Sequence, residues 1–222
     1  MSAGKKFVAE FLGTFGLILF GAGAILQQQM TQTVGTTGIA VAHGLAILVG
    51  IYALGHISGG HFNPAVTMGF FATRRLSAGM TLLYWAAQLA GGIVAAWVLA
   101  LAYHAAPAEA HLGAPAVDPS IRPSVAAFLE GLAAFMLVLV VFGSAVDPRS
   151  PKGFAGLAIG LTVTANILTF GVLTGMAFNP ARAFGPALVA GFWQDQWVYW
   201  VGPLVGGAVA GILYDRLLLE RA

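Results

Sequence analysis

The tripeptide Asn-Pro-Ala occurs twice, as Asn63-Pro64-Ala65 and Asn179-Pro180-Ala181, and it takes two of the three asparagines in this 222-residue chain. One given tripeptide arises in such a length with odds of roughly 0.03, so one copy in each half is a designed feature. Asparagine is a strong N-cap, and proline suits the first helical position, where its missing N–H costs nothing. Each triplet therefore opens a short helix. A single Asn-Pro also opens many ordinary turns; two copies in matching Gly-rich surroundings argue against that. Ionisable groups in or beside the apolar stretches include Glu10, Glu130, His43, His56, His61 and Arg182. Their chemistry is hydrogen bonding and fixed charge. No Ser/His pair, His-x-x-Glu-His motif or carboxylate cluster supports an enzyme. His56 and His61 lack a third ligand for a metal.

These groups sit in a chain that lipid must solvate. It is 59% hydrophobic and 8% charged, with mean hydropathy +0.86, whereas about 25% charge is usual in soluble domains. The pI of 9.2 would elsewhere suggest nucleic acid, but the net charge is only +2. With no cysteine, disulfides and thiol chemistry are excluded. Six stretches have the roughly 20 residues a bilayer crossing needs: Phe7–Leu26, Gly38–Ile57, Met80–Ala102, Val125–Val146, Phe154–Val172 and Trp197–Tyr214. The first is too long for a cleavable signal. Two shorter pieces, Pro64–Phe71 and Pro180–Val189, follow the triplets and read as re-entrant half-helices. Irregular backbone at membrane depth must line a cavity or be shielded by protein.

The order span, span, half-helix, span then repeats. Three spans per half make the repeat inverted, approximately 1–105 and 120–222, within one transmembrane domain over 1–222. Tyr103–Pro123 links the halves. The fold class expected is an all-α membrane protein with six transmembrane helices and two half-helices meeting at the midplane. Lys5, Lys6, Arg74, Arg75, Arg149, Lys152, Arg216 and Arg221 fall on one side, and Arg122 and Arg182 on the other. The positive-inside rule then puts both termini in the cytoplasm. Tyr84, Trp85, Trp193, Trp197, Tyr199 and Trp200 are expected as interface anchors. Gly202/Gly206 and Gly207/Gly211 are expected as close-packing pairs. Glu10 and Glu130 occupy matching places in the two halves. Intramembrane carboxylates often carry protons; the preferred reading makes both structural, as buried acceptors for loop amides.

Three stretches, Ala9-Glu10-Phe11, Gly-His-Ile-Ser-Gly-Gly-His-Phe-Asn-Pro-Ala-Val from Gly55 to Val66, and Asn-Pro-Ala-Arg-Ala-Phe-Gly-Pro from Asn179 to Pro186, resemble the aquaporins, the major intrinsic protein family. The resemblance covers the whole chain. The stretch from Ala145 to Gly156 resembles prokaryotic members, which implies a prokaryotic inner membrane. The tail from Ala183 to Trp200 is similar to plant tonoplast intrinsic proteins.

The resemblance implies a passive channel for water, extending to ammonia or other small neutral solutes, that excludes protons and ions. It implies a homotetramer in a lipid bilayer, with no cofactor, metal or nucleic acid. Asn63 and Asn179 would donate to a passing water. Carbonyls of Gly59, Gly60, His61 and Phe62, and of Gly175, Met176, Ala177 and Phe178, would form a polar track. By position, the outer constriction would be His43, Ile167, Met176 and Arg182. Residue types alone leave His43 and His56 as packing groups, Ile167 and Met176 as core, His111 as a loop residue and Arg182 as a snorkelling charge. Ala183, Ala187, Tyr199 and Trp200 lie on the water-channel side of the family pattern. His43 and Ile167 resemble the tonoplast branch, and Met176 fits neither pattern. The alternatives are a channel with broader, glycerol-like selectivity and a coupled secondary transporter.

Overall fold

The computed structural model describes residues 1–220; Arg221, counted above among the inner cations, lies outside them. The chain folds as helices α1 (Ala3–Thr31), α2 (Gly35–Ser58), α3 (Pro64–Ala72), α4 (Ala78–Ala102), α5 (Pro123–Val141), α6 (Ala155–Thr174), α7 (Pro180–Ala190) and α8 (Val198–Leu213). Wide π turns extend α5 through Val146 and α8 through Leu218. Among the described residues six helices are long and apolar enough to cross a membrane, and the chain is an integral membrane protein. The remaining two, α3 and α7, have 9 and 11 residues, too short to span.

Polar ends lengthen the spans beyond their apolar windows. The first helix runs on past Leu26 through Gln27, Gln28 and Gln29 to Thr31, where Thr31 Oγ1 donates to the Gln27 carbonyl and Gln28 takes the Val34 and Gly35 amides. Hydropathy alone does not register such a cap.

Glycines set how closely the helices approach. A Cβ on Gly202 or Gly206 would lie 2.2 Å from the Ala127 carbonyl oxygen or 1.9 Å from that of Gly131, both on α5. On Gly207 and Gly211 it would meet the carbonyls of Ala65 and Gly69 on α3, at 2.3 and 2.8 Å. Both small-residue pairs on α8 are thus consumed inside the protomer, against α5 and the half-helix. They are not free to join protomers.

The tyrosines also depart from expectation. Trp193 and Trp197 are exposed, but Tyr84 and Tyr199 are 1% and 0% exposed. Their hydroxyls donate to the carbonyls of Ser58 and Thr174, the last residues of α2 and α6. An aromatic ring with one polar tip suits either a wet interface or a buried carbonyl; here the helix ends supply the carbonyl.

One end of the bundle is clasped by charge. Arg75 pairs with Asp215 at 2.8 Å. Asp147 accepts from Arg149 and from Tyr214 Oη, and Arg149 donates to the Leu218 carbonyl. Hydrogen bonds from the Arg149 side chain hold the Asp147 carboxyl well below the usual carboxylate range. The Asp147 part of this clasp is therefore complete above the usual carboxylate range and is lost only in strong acid.

Candidate functional site

Each half-helix begins with its asparagine as N-cap. Asn63 Oδ1 accepts the Ala65 amide at 2.8 Å; Asn179 Oδ1 accepts those of Ala181 and Arg182 at 3.0 and 3.2 Å. The side-chain amides cross between the halves. Asn63 Nδ2 donates to the Phe178 carbonyl at 3.0 Å, and Asn179 Nδ2 donates to the Phe62 carbonyl at 2.9 Å. An amide nitrogen carries two protons, so each asparagine keeps a second donor. Both line a central cavity. The N-termini of α3 and α7 bring about half a positive charge each to its middle.

The segments leading into the half-helices are pinned by the two carboxylates, both 0% exposed. Glu10 accepts Ser58 Oγ at 2.6 Å, the amides of His61 and Phe62 at 3.0 and 2.7 Å, and Gln88 Nε2 at 2.8 Å. Glu130 accepts Thr174 Oγ1 at 2.6 Å, the Ala177 amide at 3.0 Å and the Phe178 amide. The same hydroxyls take the next amides back, Gly60 N–H to Ser58 and Met176 N–H to Thr174. Phe62, Met176 and Phe178 have positive φ, which costs about 1–3 kcal/mol each in a residue with a side chain. The carboxylates hold them there.

This pinning dictates where the carbonyls go. In a trans peptide the N–H and C=O point in opposite directions. With successive amides turned onto Ser58 and Glu10, the carbonyls of Gly59, Gly60 and His61 turn away from the wall. Thr174 and Glu130 do the same to those of Gly175, Met176 and Ala177. The remaining two, of Phe62 and Phe178, receive the asparagines. The ring of Phe62 is fully buried; a Cβ on Gly13 would lie 2.1 Å from it.

His43, Ile167, Met176 and Arg182 meet on the cavity wall, each no more than 4% exposed. Arg182 Nη1 donates to the Gly113 carbonyl at 2.8 Å, while Nε and Nη2 find no protein partner. His43 Nδ1 lies 2.9 Å from the Ile39 carbonyl, and Nε2 has no partner. A carbonyl can only accept, so the neutral ring carries its proton on Nδ1 and offers Nε2 as an acceptor. The cavity is small, about 30 Å³. Ile167 also walls a second cavity formed with Ile39, Pro115 and Gly175, so it stands between the two.

His61 lines the central cavity, with Nδ1 3.1 Å from Thr67 Oγ1. Two other histidines do not join it. His56 lies in a lateral groove with Met1 and Lys5, and His111 stacks on Phe192 with centroids 3.9 Å apart. Among the described residues no group of three His, Asp or Glu could hold a metal.

Several partners escaped the sequence reading. Ser58 and Thr174 stand at the same offset before each asparagine, a signal the repeat could have supplied. Gln88 and Thr67 add a polar network beside Glu10 alone, with Gln88 Nε2 donating to Thr67 Oγ1 at 3.0 Å. The Gly113 carbonyl, in the link between the halves, has no signature in residue type.

The sequence profile of the major intrinsic protein family matches residues 1–214. Aquaporin TIP4-4 of Zea mays is 41% identical over 224 residues, covering 98% of this chain and 88% of the relative. A probable aquaporin TIP3-2 of Oryza sativa subsp. japonica is 42% identical, covering 99% and 83%. Among solved structures, the aquaglyceroporin from Plasmodium falciparum superposes with a TM-score of 0.88 at 29% identity, covering 98% of this chain and 97% of that one.

Proposed function

Because this chain belongs to the major intrinsic protein family, we propose that its central cavity is a passive channel for water and small neutral solutes. The observation that supports this is an enclosed cavity lined by Asn63 and Asn179, the caps of the two half-helices, and otherwise mostly by apolar side chains. Carbonyls replace part of a solute's hydration, while the facing helix ends repel protons and cations. Each buried acid accepts a hydroxyl and two amides from the segment ahead of its half-helix. That makes Glu10 and Glu130 structural and argues against a proton-coupled transporter.

In this reading 1–222 is one channel domain of two inverted repeats, roughly 1–105 and 120–222. Asn63, Pro64, Ala65, Asn179, Pro180 and Ala181 form its centre. His43, Ile167, Met176 and Arg182 form the selectivity filter, and the carbonyls of Gly59, Gly60, His61, Phe62, Gly175, Met176, Ala177 and Phe178 form the track. Arg74, Arg75, Arg149 and Arg216 gather around the end of α8, which supports a cytoplasmic placement of that end. The stretch from Ala145 to Gly156 favours a prokaryotic inner membrane. We further propose a homotetramer with one pore per protomer. A mass of four chains in mild detergent is the expected result, and a monomer in every mild detergent would refute it.

The filter sets the solute range. Arg182 supplies unpaired donors and the His43 imidazole makes the polar side of the wall, a match for a small polar solute. Ile167 leaves the facing wall apolar. Stopped-flow measurements in proteoliposomes should show fast water flux, measurable ammonia flux and negligible glycerol flux. His43→Phe combined with Ile167→His should lower ammonia flux while water persists. Ammonia permeability no higher than that of empty vesicles would restrict the channel to water, and rapid glycerol entry would make it a broader pore.

A further inference from the structure

We propose that Gly21, on α1 and outside the lumen, sets the aperture of the channel by fixing where the His43 ring stands. The idea rests on the reading of His43 as part of the constriction and adds a residue that does not touch the solute.

The geometry is specific. A Cβ built on Gly21 would lie 2.4 Å from His43 Cδ2, 2.5 Å from Nε2 and 2.8 Å from Cε1. Real contacts of that kind are essentially never shorter than 3.0 Å, so the ring occupies space that any other residue would fill. Gly21 is buried and is not part of the cavity wall, whereas His43 is. The imidazole is thus interposed between α1 and the lumen. Its retreat toward α1 is possible because position 21 has no side chain.

An added methyl group leaves the ring few escapes. The bond from Nδ1 to the Ile39 carbonyl, at 2.9 Å, ties the other end of the imidazole to its own helix. A ring pushed off α1 either breaks that bond or moves toward the solute path, where Arg182, Ile167 and Met176 already crowd the wall. A close-packed interior cannot absorb the displacement for nothing. The cavity is small, about 30 Å³, so a shift of a fraction of the methyl's size obstructs it. By contrast, a Cβ on Gly23, two residues along the same helix, would meet the flexible end of Leu99 at 3.3 Å, a contact that a small adjustment relieves.

The test compares Gly21→Ala, Gly23→Ala, His43→Ala and the double variant Gly21→Ala/His43→Ala, each reconstituted and assayed for water and urea flux. Gly21→Ala should lose at least tenfold in water permeability per assembled channel, and Gly23→Ala should stay within about twofold of the parent. The double variant should regain the water flux of His43→Ala, because the collision partner is gone. Water flux in Gly21→Ala within twofold of the parent, or no recovery in the double variant, overturns the proposal. A urea permeability of His43→Ala unchanged from the parent would instead remove His43 from the constriction, and with it the reading beneath the proposal. If Gly21→Ala fails to assemble, restoration of assembly by His43→Ala establishes the collision, and failure of that restoration refutes it.

Discussion

Replacing Glu130 with Ala should leave almost no assembled, conducting protein. Its carboxylate takes the Thr174 hydroxyl and the amides of Ala177 and Phe178, all of them buried. Each orphaned donor costs about 1–3 kcal/mol, so three together approach the roughly 5–15 kcal/mol that holds an ordinary fold. The three positive-φ turns ahead of α7 would lose their restraint at the same time. Glu130→Gln should retain a fraction of the protein: its Oε1 can still accept from Thr174 and Ala177, but its amide group must face the Phe178 N–H, donor to donor. Glu10→Ala should be milder than Glu130→Ala. Gln88 sits beside Glu10 with an unpartnered Oε1 and can turn that oxygen onto one freed amide. Yields of monodisperse protein and unfolding temperatures decide the matter. Glu130→Ala material as stable as the parent, or less damaged than Glu10→Ala, would contradict the structural role proposed for these acids.

The second large effect concerns ions. Arg182→Val should keep most of the water flux and let protons or small cations leak at least about tenfold faster, since only about 1.4 kcal/mol off a barrier is needed for that. The guanidinium is 1% exposed and keeps Nε and Nη2 unpaired beside the lumen. A fixed charge in so enclosed a place is felt strongly by another cation. Arg182→Lys should restore exclusion incompletely. An ammonium is a point charge without the planar fork that lets one nitrogen hold the Gly113 carbonyl while others face the lumen. Dye-reported proton entry under a pH gradient is the readout. A Val variant as proton-tight as the parent would mean that the half-helix ends suffice and Arg182 is dispensable for exclusion.

The half-helices were legible because their signal is local: Asn as cap and Pro at the first position act on the residues beside them. So were the spans, which need only length and hydropathy. Tyr84 and Tyr199 were misread as interface anchors because an amphipathic ring looks the same at a lipid boundary as beneath a buried carbonyl. Gly202, Gly206, Gly207 and Gly211 announced close packing without saying against what, and the answer was α5 and α3 of the same chain. Gly113 was invisible because it contributes a main-chain oxygen, which every residue possesses. The family pattern supplied the four filter positions; nothing in the types of Ile167 or Met176 separates a pore wall from a core.

The crossed bonds from Asn63 to the Phe178 carbonyl and from Asn179 to the Phe62 carbonyl also constrain biogenesis. A ribosome delivers Asn63 long before Phe178, so the first re-entrant segment has no mate while the first half is being inserted. Neither half-helix can enter the bilayer by itself as a span. Both must slip in sideways once the surrounding spans can shelter their backbones. The midplane junction is therefore a late step of maturation, and a chain halted after its first three spans should remain open to proteases at the loop from Gly59 to Phe62. Passage from nascent chain to finished protein would then be marked by that loop becoming resistant to cleavage.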